Sequence, residues 1–191
     1  MLLLGQRFTM ARLRNQQHQF GLISKCLHWT IALSMFGLIA LGWYMVDLTY
    51  YDRWYNRSLE LHKSLGMVVF ALGLSMVVWK WVSPSPLLND SLPQWQKLSA
   101  VIMHRVLLAL VVAIPITGYL ISTSAGKSIM VFGALELPAI MQVDETLRDL
   151  SIRAHYYLAY GVGIIALGHA GAALKHQLID RDGTLAKMLW R

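Results

Sequence analysis

Five of the seven histidines lie within or at the ends of long apolar stretches: His28, His62, His104, His155 and His169. A sixth, His176, follows just past the last stretch. Imidazole titrates near neutral pH and is a common metal ligand. An ionisable side chain at membrane depth is costly, so each of these calls for a partner or a function. Taken singly, each is equally well explained by a helix-to-helix hydrogen bond, but their spacing says more. His155 and His169 are fourteen residues apart. At about 100° per residue, a helix returns them to within roughly 40° of one face. A rise of 1.5 Å per residue sets them roughly 21 Å apart along the axis.

The elements that must position these histidines follow from composition. The chain has 191 residues, 56% hydrophobic and 14% charged, with mean hydropathy +0.48. Soluble domains carry about a quarter charged residues, so the balance is that of a membrane protein. Crossing the hydrocarbon core takes about 20 mostly apolar residues. Four stretches qualify, at about 26–46, 62–82, 101–123 and 154–174. Turn-forming sequence such as Ser83-Pro84-Ser85-Pro86 bounds them. The expected fold is all-α, an integral membrane four-helix bundle occupying residues 1–191 as one domain, without internal repeats. Met1 to Gly5 is too short to be the apolar core of a signal peptide, and Met10 is an alternative start.

The formal charge is +7. Its Lys and Arg occupy the gaps between apolar runs rather than a basic face, which argues against nucleic acid and for a topology signal. The N-terminal region, the link between spans two and three and the C-terminal region together carry eleven basic residues, against six on the opposite side. The positive-inside rule then places both termini in the cytoplasm. Trp29, Trp43, Trp54, Trp79 and Trp81 fall near span ends as interfacial anchors. The single cysteine, Cys26, excludes an internal disulfide and cysteine-ligated clusters, and is read as a buried, unreactive thiol. The absence of CxxCH argues against covalent c-type haem.

With that direction, His28 begins span one at cytoplasmic depth and His62 begins span two at outer depth. The depths match in pairs, His28 with His169 and His62 with His155. Zinc would want more donors than two facing imidazoles, whereas haem takes only axial ligands from the protein and a slot between helices. Gly66 and Gly73 on span two, and Gly161, Gly163, Gly168 and Gly171 on span four, are candidates for that slot, or for close helix packing. Two axial histidines fill both open positions of the iron and favour electron transfer over oxygen activation.

At these residues the chain resembles the bacterial cytochrome b561 family of inner-membrane dihaem proteins, from about Gly21 to Leu189. The matching stretches are Ser24-Lys-Cys-Leu-His28-Trp29, Glu60-Leu-His62-Lys-Ser-Leu-Gly66, Thr117-Gly-Tyr-Leu-Ile-Ser122, Gly126-Lys-Ser-Ile-Met-Val-Phe-Gly133, Ala154-His155, Gly168-His169 and Ala173-Leu-Lys-His176. The resemblance implies two b haems on His28, His62, His155 and His169. It also implies electron exchange with ubiquinone or menaquinone and, in one branch, oxidation of superoxide at the outer surface, which would make the chain a superoxide:quinone oxidoreductase. Some relatives are paired with a small secreted isoprenoid-binding protein, a possible periplasmic partner. The alternative function is a cytochrome b membrane anchor of a larger dehydrogenase or hydrogenase. A third reading is a histidine-lined metal transporter or structural membrane protein without haem.

His176, His104 and Arg105 are the candidates for handling quinone and its proton at the cytoplasmic end. Arg105, like Lys80 between its two tryptophans, could pair with a haem propionate or serve as a topology anchor. Pro115 is expected to kink span three. The long connection from Ser124 to Arg153 is expected to carry a short surface helix at Leu147 to Arg153 and to cover a site.

Overall fold

The computed structural model describes residues 13–190. Four long helices dominate: α1 (Leu22–Val46), α2 (Tyr55–Val82), α3 (Gln94–Thr123) and α4 (Glu145–Lys175). Each is long and apolar enough to cross a membrane. Between α3 and α4 lies an antiparallel hairpin, β1 (Ile129–Val131) with β2 (Leu135–Leu137), in which Ile129 faces Leu137. A π-helical turn, His176–Asp180, continues α4, and a 3-10 turn, Leu185–Lys187, follows. The two ends of the bundle are called here the hairpin end and the termini end.

The helices pack in chain order, α1 on α2, α2 on α3 and α3 on α4, with a thinner seam between α1 and α4. Their lateral faces are apolar and open: Leu33 is 68% exposed and Ile164 71%. A helix that is hydrophobic all round belongs in lipid. The inward cluster is Ile31, Met35, Leu38, Val69, Val111, Ile114 and Val162. Val162 stands seven residues from both His155 and His169, so this packing closes the bundle midway between the two histidine levels.

Every helix overruns the apolar stretch that announced it. α2 begins at Tyr55, α3 at Gln94 and α4 at Glu145, because polar first turns form helix as readily as apolar ones once they leave the hydrocarbon. The expected surface helix at Leu147 to Arg153 is instead part of α4. Asp144 caps that helix by accepting a hydrogen bond from the Leu147 N–H at 2.8 Å, and no breaker separates the cap from the span. Pro115 sits inside a continuous α3. Cys26 is exposed rather than buried, on the outward side of α1. Trp43, Trp54 and Trp81 are exposed near helix ends, whereas Trp29 and Trp79 turn inward. Trp29 donates to the Met188 carbonyl at 3.2 Å and Trp79 to the Ser24 hydroxyl at 2.8 Å.

Those two bonds belong to a knot at the termini end. The Asn15 side chain donates to the Ser83 and Pro84 carbonyls and accepts from the Gly21 N–H and the Ser24 hydroxyl. Lys25, 5% exposed, donates to the Leu189 carbonyl at 2.7 Å. Side-chain hydrogen bonds thus tie the N-terminal segment, both ends of the α1–α2 pair and the C-terminal tail together, meeting the polar groups that helix ends leave free.

Candidate functional site

α4 presents its two histidines toward different partners. At the termini end the ring centroids of His28, on α1, and His169 lie 6.3 Å apart, inclined at 64°. At the hairpin end those of His62, on α2, and His155 lie 6.1 Å apart, inclined at 67°. Two imidazoles bound on opposite sides of one metal, with bonds of about 2 Å, put their centroids roughly 6–6.5 Å apart. Both pairs fit that separation. The third ring at the termini end, His104 on α3, is 5.1 Å from His169, too close for the two to be opposed ligands of one metal.

The surroundings of His155 determine which of its nitrogens is free. Nδ1 lies 3.1 Å from the Ile114 carbonyl and 3.0 Å from the Thr117 hydroxyl. A carbonyl can only accept, so Nδ1 carries the proton. The Thr117 hydroxyl spends its own proton on the same Ile114 carbonyl at 2.7 Å and so accepts from the ring. Nε2 is left with its lone pair for a ligand, the arrangement by which neighbouring acceptors orient metal-bound histidines. Opposite, the buried His62 Nδ1 has no hydrogen-bond partner. Thr117 lies in a motif the sequence already marked, but its role depends on the rotation of α3, which periodicity does not give.

Glycines bring the helices close to these rings. A Cβ on Gly118 would stand 3.1 Å from His155 Cε1, and one on Gly42 would stand 3.5 Å from His62 Cε1. Of the glycines expected to form a slot, Gly66, Gly161, Gly168 and Gly171 have no atom within 4 Å of an added Cβ. Gly73 is different: its Cβ would meet Val111 Cγ1 at 2.9 Å, so it serves the contact of α2 with α3. Gly163 likewise faces Ile39 on α1.

The hairpin end is covered. Ser64, 1% exposed and two residues from His62, accepts from the Phe132 N–H at 2.9 Å. Tyr119 donates to the Pro138 carbonyl at 2.6 Å and accepts from the Ile140 N–H at 2.9 Å. A cleft of about 840 Å³ opens beside this cover, lined by Ser124, Ile140, Met141, Gln142, Asp144 and Leu147 among others.

At the termini end Lys80 lies within electrostatic range of His28 and His104, and Arg105 within range of Lys80. Lys80 therefore stands near His28, with Arg105 near Lys80 in turn. His176 follows α4 at this same end, and its ring meets Asp180 and Asp182, two residues the sequence did not single out.

Known proteins bear on this arrangement. Residues 19–191 match the family described as "Prokaryotic cytochrome b561". The chain is 40% identical over 175 residues to "Cytochrome b561 homolog 2" of Escherichia coli (strain K12), covering 92% of this chain and 93% of that protein. It is 28% identical over 169 residues to "Cytochrome b561 homolog 1" of the same organism, covering 86% of this chain and 93% of the relative. Over 166 residues it is 26% identical to "Probable superoxide oxidase CybB" of Yersinia pestis, covering 85% of this chain and 91% of that protein. With four membrane-crossing helices and a match over nearly its whole length, the chain belongs to the prokaryotic cytochrome b561 family of bacterial membrane electron-transfer proteins that bind b-type haem.

Proposed function

We propose that this chain holds two b-type haems, one on His28 and His169 and one on His62 and His155, and exchanges electrons with the quinone pool. The carrying observation is the pair of imidazole separations, 6.3 and 6.1 Å, at two levels of one helix. Bound haem supplies a one-electron redox centre at each level, and asks the protein only for axial ligands.

The chain's own residues prepare those positions. Ile114 and Thr117 hold the His155 tautomer with Nε2 free. Ser64 and Tyr119 fasten the cover of the hairpin end, which limits water there. Lys80 and Arg105 offer positive charge to carboxylates near His28, a use to which the Arg fork is suited. Reduction of ubiquinone or menaquinone consumes two electrons and two protons. His104, Arg105 and His176 could provide a hydrogen bond, a charge and a titratable group for it at the termini end. The excess of basic residues at that end supports a cytoplasmic placement of both termini.

Superoxide is a coherent donor for this reading, each anion giving up one electron and leaving as oxygen. One relative is named a probable superoxide oxidase. A periplasmic isoprenoid-binding protein would then meet the hairpin end.

Pyridine haemochrome analysis of the purified protein tests the haem count. Two haems per chain are expected in the wild type and one in His169→Ala; one or none in the wild type overturns the reading. Anaerobic reduction of a short-chain quinone tests the location. Slowing by changes at His104 and Arg105 supports the termini end, whereas slowing only by changes at Lys127 or Arg153 moves the site to the hairpin end.

A further inference from the structure

Past α4, His176, named above as a proton candidate, meets two carboxylates that the electron-transfer reading does not use, those of Asp180 and Asp182. His176 opens the π-helical turn that extends α4, and Asp180 closes it. Arg181, at φ 53°, turns the backbone so that Asp182 comes back against the same imidazole. One donor atom from each of His176, Asp180 and Asp182 falls within 4.8 Å of the other two.

The distances are those of a coordination shell. His176 Nδ1 is 3.0 Å from Asp180 Oδ2 and 2.8 Å from Asp182 Oδ2. Six-coordinate bonds of about 2.0–2.2 Å place neighbouring donors roughly 2.8–3.1 Å apart, and a tetrahedral Zn²⁺ shell about 3.3 Å, so small side-chain shifts bring these atoms into either. A protonated imidazole shared by the carboxylates would give similar separations, but its N–H would have to point at one of the oxygens. The two groups attract as an ion pair, but the N–H is poorly aligned with either oxygen, so Nδ1 and Asp182 Oδ2 are buried without a well-formed hydrogen bond. The Asp182 side chain is only 9% exposed. Its other oxygen accepts from the Thr184 N–H at 2.9 Å, which holds the carboxylate with Oδ2 aimed at His176. Leaving buried polar atoms unpaired is costly, and a cation between them removes that cost.

We propose that His176, Asp180 and Asp182 form a divalent-cation site at the termini end of α4. One imidazole and two carboxylates, with no thiol, select an ion of the Mn²⁺ or Zn²⁺ class over soft metals, and the imidazole disfavours Mg²⁺ and Ca²⁺. Lys175 modulates the affinity. Its ammonium lies 2.6 and 2.9 Å from the two Asp180 oxygens, so it competes for that carboxylate and keeps the site weak. The proposal needs no step of quinone reduction; a cation on His176 would remove the proton role offered above for that ring and leave His104 and Arg105 as they are.

The test uses haem-loaded protein without a polyhistidine tag, stripped with EDTA and titrated with Mn²⁺ while the EPR signal of the free aqua ion is followed. One Mn²⁺ per chain is expected, displaced by Zn²⁺. Asp182→Asn should bind at least about tenfold more weakly, with the visible haem spectrum unchanged. Lys175→Met should bind more tightly, which no loss of folding would mimic. Wild-type uptake no greater than that of Asp182→Asn, or Lys175→Met leaving uptake unchanged, overturns the proposal.

Discussion

Gly118→Ala adds one methyl group to α3 where it faces His155, and its consequence can be worked from the contacts. The new Cβ would lie 3.1 Å from His155 Cε1 and 3.4 Å from Nδ1. Ordinary carbon contacts sit at about 3.5–4.0 Å, so the ring must recede by roughly 0.4 Å or more. The ring is poorly placed to do so. Its Nδ1–H is shared between the Ile114 carbonyl at 3.1 Å and the Thr117 hydroxyl at 3.0 Å, and receding from α3 stretches both. Ligand positions tolerate about 0.2 Å. Overpacking of this kind costs about 1–3 kcal/mol. Alanine also gains about 1 kcal/mol of helix propensity over glycine, but that gain is present with or without haem and cancels in haem retention. The haem proposed on His62 and His155 should therefore be held about 5- to 150-fold more weakly, and the one proposed on His28 and His169 should be unaffected. Redox-monitored visible spectra with pyridine haemochrome counting read both. The control is Gly37→Ala, because Gly37 is an exposed position with nothing within 4 Å of its added Cβ. If Gly118→Ala leaves both haem signals as they are in Gly37→Ala, or disturbs the termini-end haem instead, His155 is not a ligand in the manner proposed.

Two further changes probe the covers at each end. Ser64→Ala removes the acceptor of the Phe132 N–H; because Phe132 is 57% exposed, water can replace part of that bond, so the loss sits at the low end, about 1 kcal/mol, and hydrogen exchange at Phe132 should quicken about 5-fold. Unchanged exchange would show that the hairpin is held by other contacts. Gly21→Ala would drive a Cβ into the carbonyl groups of Leu13 and Arg14, and backbone cannot swing aside as a side chain can. The melting temperature in detergent should fall as Asn15 loses its grip on Ser83 and Ser24, and an unaltered melting temperature would refute the packing at that end.

The spans and the histidine levels were legible because both rest on properties local to one helix. Hydropathy marks a membrane crossing, and a fourteen-residue interval on α4 fixes both the face and the separation of His155 and His169. What lay outside that logic depended on other elements. The Ile114 and Thr117 contacts to His155 need the depth and rotation of α3 relative to α4, and no periodicity within α3 encodes them. The hairpin was missed because its strands are three residues each and its turn puts Phe132 at φ 50° beside Gly133 at φ 67°, where a sequence signal would call for Asn or Asp. Cys26 was misplaced for a different reason: in a membrane helix the apolar outside is as hospitable as the inside, so hydrophobicity does not say which way a thiol points. His176, Asp180 and Asp182 converge only through a π-turn and a left-handed residue, and neither is announced by the residues themselves.

The division of labour among the helices follows from the same geometry. α4 contributes to both histidine pairs, α1 to one and α2 to the other. A displacement of α1 or α2 can therefore disturb one level and spare the other, whereas any rotation of α4 acts on both. The structure restrains α4 accordingly. Asp144 fixes its first turn, Val162 is 3% exposed in the packed middle, and the tail beyond it is tied through Met188 and Leu189 to Trp29 and Lys25 of α1. The thin seam between α1 and α4 is thus closed at the termini end by hydrogen bonds rather than by apolar packing. On the proposal that a haem sits between His28 and His169, that choice leaves it room: side chains filling that seam would stabilise the helices at the expense of the space between the rings, and hydrogen bonds beyond the level of the rings hold the same helices without occupying it.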